Sequence, residues 1–266
     1  MNFGSVSVSH IKAAAHAIKN ARETKVPTPR VSEEFGIQDV DSAYAVANCN
    51  VEVALREGRN ISGRKIGLTS PAVQRQMGVH EPDYGVLFSD MEYLSGSELP
   101  LSRLIQPKVE GEIGFVIGRD LDKENLSWAQ FLQRIEYVLP AIEIVDSAIE
   151  NWDLTLADTI ADNASSGLYV LGLDPCRLGV AELEHCAMDL RRNGRTLSAG
   201  RGAECLGHPL LAAHWLSRKM YQLGSPLKAG DVILSGALGP MIPIGKGDYL
   251  EVSISGLGSV RCSVEE

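Results

Sequence analysis

The sequence predicts an α+β fold, in which a helical N-terminal part packs on a large mixed β core. Three observations carry this reading. Up to about residue 57, apolar residues recur at helical spacing. From about residue 84, short apolar runs are separated by Gly, Pro and Asn breaks, as strands are. The helices in this second part do not alternate regularly with the strands, which argues against a doubly wound parallel sheet. The expected division is a mainly helical region at 1–80 and a β-rich core at 81–266.

The elements follow in order. Residues 9–22 are Ala-rich with Ile11, Ala15 and Ile18 on one face, and Ser9 is a candidate N-cap. Pro27, Pro29 and Gly36 make 23–38 a loop. A second helix runs from Asp41 to Glu57, with Tyr44, Ala47, Val51 and Leu55 on one face and Gly58 as its stop. The tract GRKIGLTS (63–70) is a short strand or turn, and a short helix from Pro71 to Met77 ends at Gly78. Candidate strands then cover 108–117, 138–146, 167–172, 186–192, 195–199, 231–235 and 249–254. Asn193-Gly194 joins two of them as a type I′ hairpin. Helices interrupt at 127–134 and at 208–222, the latter opening on Pro209 and carrying Leu211, Trp215, Leu216 and Met220. His214 on that helix reads as a packed or surface histidine.

Composition narrows the partners. Apolar residues make up 44% and charged residues 22%, ordinary for a globular chain. The net charge of −9 argues against nucleic acid or an anionic membrane as the main partner. The five cysteines, Cys49, Cys176, Cys186, Cys205 and Cys262, are scattered and form no C-x-x-C, so they read as reduced thiols of a cytoplasmic protein. Lys12 and Lys19 interrupt the first helix, which is neither a signal peptide nor a membrane span. The tract SGALGPMIP (235–243) lacks the spacing and Lys of a phosphate-binding loop.

Carboxylates supply the candidate chemistry. In KVEGEIGF (108–115), Val109, Ile113 and Phe115 share one strand face while Lys108, Glu110 and Glu112 share the other. Alternation alone allows that second face to be merely wet. Glu143 is harder to dismiss, because it sits inside the apolar run VLPAIEIV (138–145). Unless it lies at a strand edge, it must be paired, protonated or bound to metal. Together the three acids offer hard oxygen ligands that suit Mg²⁺ or Mn²⁺. Lys65, between Gly63 and Gly67, is either a surface residue or a cation facing a substrate carboxylate or enolate. Asp83 follows Pro82 at a turn position. Ser165 and Ser235 are candidate substrate-facing hydroxyls, with ordinary turn or cap roles as the alternative.

GRKIGLTS (63–70), GVHEPDYG (78–85), LIQPKVEGEIGFV (104–116), LPAIEIVDSAIENW (139–152), DTIADNASSGLYVLG (158–172), GRGAECLGHPLLAAHWLSRKM (200–220) and GDVILSGALGPM (230–241) occur in this order. Together they resemble the 2-keto-4-pentenoate hydratases of the fumarylacetoacetate hydrolase superfamily. The resemblance implies that superfamily's mixed β core. It implies Mg²⁺ or Mn²⁺ held by Glu110, Glu112 and Glu143, catalytic roles for Lys65 and Asp83, and a homo-oligomer, pentameric or decameric. The implied reaction adds water to 2-hydroxypenta-2,4-dienoate, giving 4-hydroxy-2-oxopentanoate in aromatic meta-cleavage catabolism. The alternatives are a 4-oxalocrotonate-type decarboxylase or a C–C hydrolase of the same superfamily, or a non-catalytic subunit that binds the pathway decarboxylase. Gly111 departs from the Ala or Val of other members; on strand alternation it lies on the face opposite the acids.

Overall fold

Ser7, not Ser9, caps the first helix, α1 (Val8–Thr24): its hydroxyl accepts from the His10 amide at 3.3 Å. The computed structural model describes residues 6–70, 74–75 and 79–266. Helix α1 buries Ala14, Ala15, Ile18 and Ala21, a face of small residues that admits close neighbours. A short helix, α2 (Val31–Glu34), precedes α3 (Val40–Arg56), which is capped by Asp39 accepting from Ser42 N at 2.8 Å. The buried face of α3 is Ala43, Val46, Ala47 and Ala54, rotated from the expected one. Leu55 is 44% exposed, because the Ala-rich stripe lets α3 approach α1 and α5 (Leu156–Ala161) more closely than the larger residues would. These helices share their own apolar cluster with Ile37, Ala148 and Ile149.

The remainder forms two sheets. The larger contains, in spatial order, β2 (Asp83–Phe88), β1 (Ile61–Gly67), β10 (Val232–Leu234), β5 (Pro107–Ile117), β6 (Ile135–Asp146), β7 (Ser166–Leu171) and β3 (Glu92–Leu94), with β11 (Ile242–Pro243) also on β5. It is mixed: β1 runs parallel to β10 and β3 to β7, while the β10–β5–β6–β7 run is antiparallel. The smaller sheet is β4 (Glu98–Leu99), β13 (Gly258–Val264), β12 (Tyr249–Ile254), β8 (Ala187–Arg192) and β9 (Arg195–Arg201). Asn193 and Gly194 close the β8–β9 hairpin with φ of 53° and 78°, as the type I′ turn requires.

The sheets meet at Gly111. A Cβ there would stand 2.9 Å from Met188 Sδ and 3.0 Å from Val252 Cγ1, both on the smaller sheet. Gly111 therefore faces the sheet–sheet interface, away from the acids, as alternation predicted. Helices α4 (Trp128–Leu132) and α6 (Pro209–Gln222) flank the core, and on α6 Leu216 and Met220 are buried while Leu211 is 49% exposed. His214 packs against Trp128 and Phe131. The short helix expected from Pro71 falls mostly outside the described residues. Five strands were not anticipated: β2, whose first residue was read as a turn, the short β3, β4 and β11, and β13. The GRKIG tract, read as a strand or turn, is β1, an internal strand of the larger sheet. Among the described residues no helix is long and apolar enough to cross a membrane.

Candidate functional site

Strand register gathers the candidate residues. Glu110 and Glu143 are direct cross-strand partners on β5 and β6, so they share a face, and Glu112 shares it two residues along β5. Gly114 on that face pairs with Leu234, Leu234 with Lys65, and Lys65 with Gly85. Asp83, two residues from Gly85, therefore projects to the same side. Five residues from four strands, β1, β2, β5 and β6, thus stand on one face of one sheet. Glycine makes the room: a Cβ at Gly67 would fall 2.1 Å from Asp83 Oδ1, and one at Gly85 would meet the Asn163 carbonyl at 2.4 Å.

The three glutamates bring one carboxylate oxygen each within 4.8 Å of the others. Glu112 and Glu143 are buried, and Glu110 is half-buried. Lys65 is buried with its Nζ 3.2 Å from Glu143 Oε1, an ion pair without hydrogen-bond alignment. Glu112 Oε2 accepts from Gly236 N at 2.8 Å. Among the described residues, Glu112 Oε1, both oxygens of Glu143 and Asp83 Oδ1 have no hydrogen-bond partner, although a buried carboxylate oxygen without one is costly.

The electrostatics point the same way. Burial, with repulsion from Glu143, pushes Glu110 up to about 7. Burial and the charges of Glu143 and Glu110 hold Glu112 well above the usual carboxylate range. Burial pushes Asp83 up to about 6 against the pull of Lys65. Burial disfavours the Lys65 ammonium, but Glu143, Asp83, Glu110 and Glu112 together keep it above its ordinary value. One lysine does not neutralise four acids, and orphaned hard oxygens converging from adjacent strands fit a divalent cation.

The two serines sit at the margins. The Ser235 hydroxyl accepts from Ile113 N at 3.2 Å and donates to the Gly236 carbonyl at 3.1 Å, so it braces the loop that presents Gly236 N to Glu112. Cys205 supports the same loop by donating to the Ser235 carbonyl at 2.9 Å. Ser165 ends a turn, Asn163–Ser165, that packs on β1 and β2. All five cysteines are unpaired.

Some neighbours were not read from the sequence as site residues. Tyr44 of α3 stacks on Tyr84 at 4.4 Å and its hydroxyl accepts from Tyr84 N, beside Asp83. Arg22 of α1 reaches Asp146 and Asp162, two buried acids within tracts singled out for other residues. A cavity of about 390 Å³ opens between α1, α3 and the start of β7, but none of the five sheet-face residues lines it. Of its cations, Lys19, Arg22, Arg59 and Arg103 are already paired with acids, and Lys25 donates to the Arg103 carbonyl.

Residues 66–265 match the model of the fumarylacetoacetate (FAA) hydrolase C-terminal family. The chain belongs to the fumarylacetoacetate hydrolase family. Among its curated relatives is a TodF product hydratase of Pseudomonas putida, 51% identical over 95% of this chain and 94% of the relative. A 2-keto-4-pentenoate hydratase of Dechloromonas aromatica is 49% identical over 96% of this chain and 97% of its own. The fold of this family member also matches 4-oxalocrotonate decarboxylase from Pseudomonas putida G7, solved in complex with magnesium and adipate, with a TM-score of 0.92 at 31% identity, covering 98% of this chain and 99% of that one.

Proposed function

We propose that this chain is a divalent-metal-dependent hydro-lyase that adds water to 2-hydroxypenta-2,4-dienoate, giving 4-hydroxy-2-oxopentanoate in the catabolism of aromatic meta-cleavage products. The observation that carries the site is the cluster of Glu110, Glu112 and Glu143 with Lys65 and Asp83 on one sheet face. Hydratase relatives at about half identity over nearly the whole chain favour this reaction over others of the family.

Glu110, Glu112 and Glu143 would hold the ion, Mg²⁺ or Mn²⁺, through hard oxygens. When bound, the ion supplies Lewis-acid polarisation of the substrate's 2-oxygen and offsets the charge of its carboxylate. The chain's own groups do the rest. The reaction moves the enol proton to C5, then adds hydroxyl at C4 and a proton at C3. Lys65, held charged by its surrounding acids, stabilises negative charge that develops at the 2-oxygen. Asp83, raised to about 6 with an unpartnered oxygen, carries the proton and orients the attacking water. Ser165, on the turn that packs against β1 and β2, would offer its hydroxyl to the substrate. Ser235 acts on the substrate side through the loop that holds Gly236 against Glu112. The working form is a cytoplasmic homo-oligomer, pentameric or decameric, able to associate with the decarboxylase of its pathway.

The likeness to 4-oxalocrotonate decarboxylase supports a second reading, decarboxylation of a larger 2-oxo acid. Parallel assays separate the two. Purified chain with Mg²⁺ should bleach the absorbance of 2-hydroxypenta-2,4-dienoate and release no carbon dioxide from 4-oxalocrotonate. Carbon dioxide release without dienoate hydration would reverse the assignment.

A further inference from the structure

The turn that carries Ser165 is made of three consecutive non-glycine residues in the left-handed region: Asn163, Ala164 and Ser165 have φ of 57°, 51° and 52°. Side chains of this kind resist that region, so a run of three persists only where its surroundings impose it. Two restraints are visible. On one side, Asn163 grips β2 through both ends of its amide: Oδ1 accepts from Val86 N at 2.7 Å and Nδ2 donates to the Val86 carbonyl at 2.9 Å. On the other, Asp162 holds the turn from the residue just before it. Its Oδ2 accepts from Ala148 N at 2.9 Å and from the Ser165 hydroxyl at 3.3 Å, and its main-chain carbonyl accepts from Ser165 N at 3.0 Å.

Asp162 is buried, and its charge is met by Arg22 of α1, whose Nε and Nη2 both donate to Asp162 Oδ1, at 3.1 and 2.7 Å. The same guanidinium donates to the Asp146 carboxylate at 3.3 Å and to the Asp146 carbonyl at 2.7 Å. Asp146 ends β6, three residues after Glu143, and accepts from the amides of Ile105 and Gln106, which lead into β5. One side chain of the N-terminal helix thus joins the strand of Glu143, the approach to the strand of Glu110 and the turn of Ser165. A planar fork with five donors suits such a junction, and an ammonium does not.

We propose that Arg22 is a positioning residue for the hydration step: through Asp162 it holds the left-handed turn that sets Ser165 against the substrate. The inference rests on the proposed function and on the substrate-facing role of Ser165. The Ser165 proton is directed at Asp162, which leaves the Oγ lone pairs to accept from the attacking water or from a substrate hydroxyl. Arg22 touches no substrate and acts through two others.

The test is a double-mutant cycle between Arg22→Met and Ser165→Ala, read as kcat and KM for dienoate hydration, with Mg²⁺ affinity by calorimetry and folding by circular dichroism. Alone, Arg22→Met in the folded fraction should lower kcat by roughly tenfold to a hundredfold, the scale for displacing a positioned group by about 1 Å. KM and Mg²⁺ affinity should change little. In the Ser165→Ala background, Arg22→Met should cost kcat little more. If Arg22→Met does not fold, Arg22→Lys carries the same cycle, since it keeps the charge and loses the fork. Wild-type kcat in a folded Arg22 variant, or losses that multiply fully with Ser165→Ala, would overturn the proposal. Failure of the proposed function would show differently, as absence of dienoate turnover by the wild-type chain. A Ser165→Ala variant with wild-type kinetics would remove the basis for the positioning role while leaving the hydratase reading intact.

Discussion

Replacing Lys65 by Met separates chemistry from cation binding. The variant keeps most of the aliphatic stem in its buried slot and deletes the ammonium. In the native site that ammonium stands 3.2 Å from Glu143 Oε1. With an effective dielectric constant of about 20, a unit charge at that distance interacts by about 5 kcal/mol. About half a unit of charge developing on the substrate oxygen at a similar distance would then gain about 2–3 kcal/mol, roughly a hundredfold in rate. This agrees with the loss of roughly a hundredfold or more seen when one transition-state donor is removed elsewhere. Stopped-flow loss of dienoate absorbance over a range of substrate concentrations gives kcat and kcat/KM, and both should fall together. Mg²⁺ affinity should hold or tighten, because a positive neighbour has left the carboxylates. A variant that changes only KM would make Lys65 an anchor for the substrate carboxylate. One with wild-type kinetics would refute its role at the 2-oxygen.

Other outcomes follow from the same geometry. Glu143→Gln should fold and lose most of its Mg²⁺ or Mn²⁺ affinity by calorimetry, whereas unchanged affinity would remove Glu143 from the ligand set. Gly67→Ala would push a Cβ to 2.1 Å from Asp83 Oδ1, so turnover should fall by roughly tenfold or more while calorimetric Mg²⁺ affinity stays near wild type. The metal-free protein should lose thermal stability as pH rises. Asp83 and Glu110 titrate in the unfolded chain near 3.8 and 4.5 but near 6 and 7 when folded without a cation, so their contribution is fully present below about 4 and is lost as pH rises through 6 and 7. Added Mg²⁺ should therefore raise the melting temperature more at pH 8 than at pH 5, and an equal rise at both would contradict the electrostatic reading.

Local pattern carried much of this site. Glu143 was conspicuous because an ionised side chain inside VLPAIEIV has few stable explanations, and the β5–β6 register supplies one by setting it opposite Glu110. The helical face of α1 and the Asn193-Gly194 hairpin were legible for the same reason, since neighbours in sequence decide them. Lys65 was ambiguous: five residues cannot show whether a short strand lies at an edge or inside a sheet, and only pairing with β10 and β2 buries it. Asp83 read as a turn residue because Pro82 and Gly85 dominate its surroundings, yet β2 begins there. β13 was missed although Val260, Cys262 and Val264 alternate inward, because Ser and Arg between them dilute the apolar signal. The Arg22 junction could not be read at all. It joins residues more than a hundred positions apart, and nothing in the Ala-rich helix distinguishes Arg22 from a solvated arginine.

The measurement that bears most directly on the three-carboxylate centre is a crystal structure of the wild-type chain soaked in Mn²⁺, with anomalous differences collected for the ion. The expected result is one strong peak within bonding distance of Glu110, Glu112 and Glu143, absent after chelation and absent from Glu143→Gln crystals. A chain that turns over the dienoate yet binds Mn²⁺ elsewhere, or not at all, would contradict it.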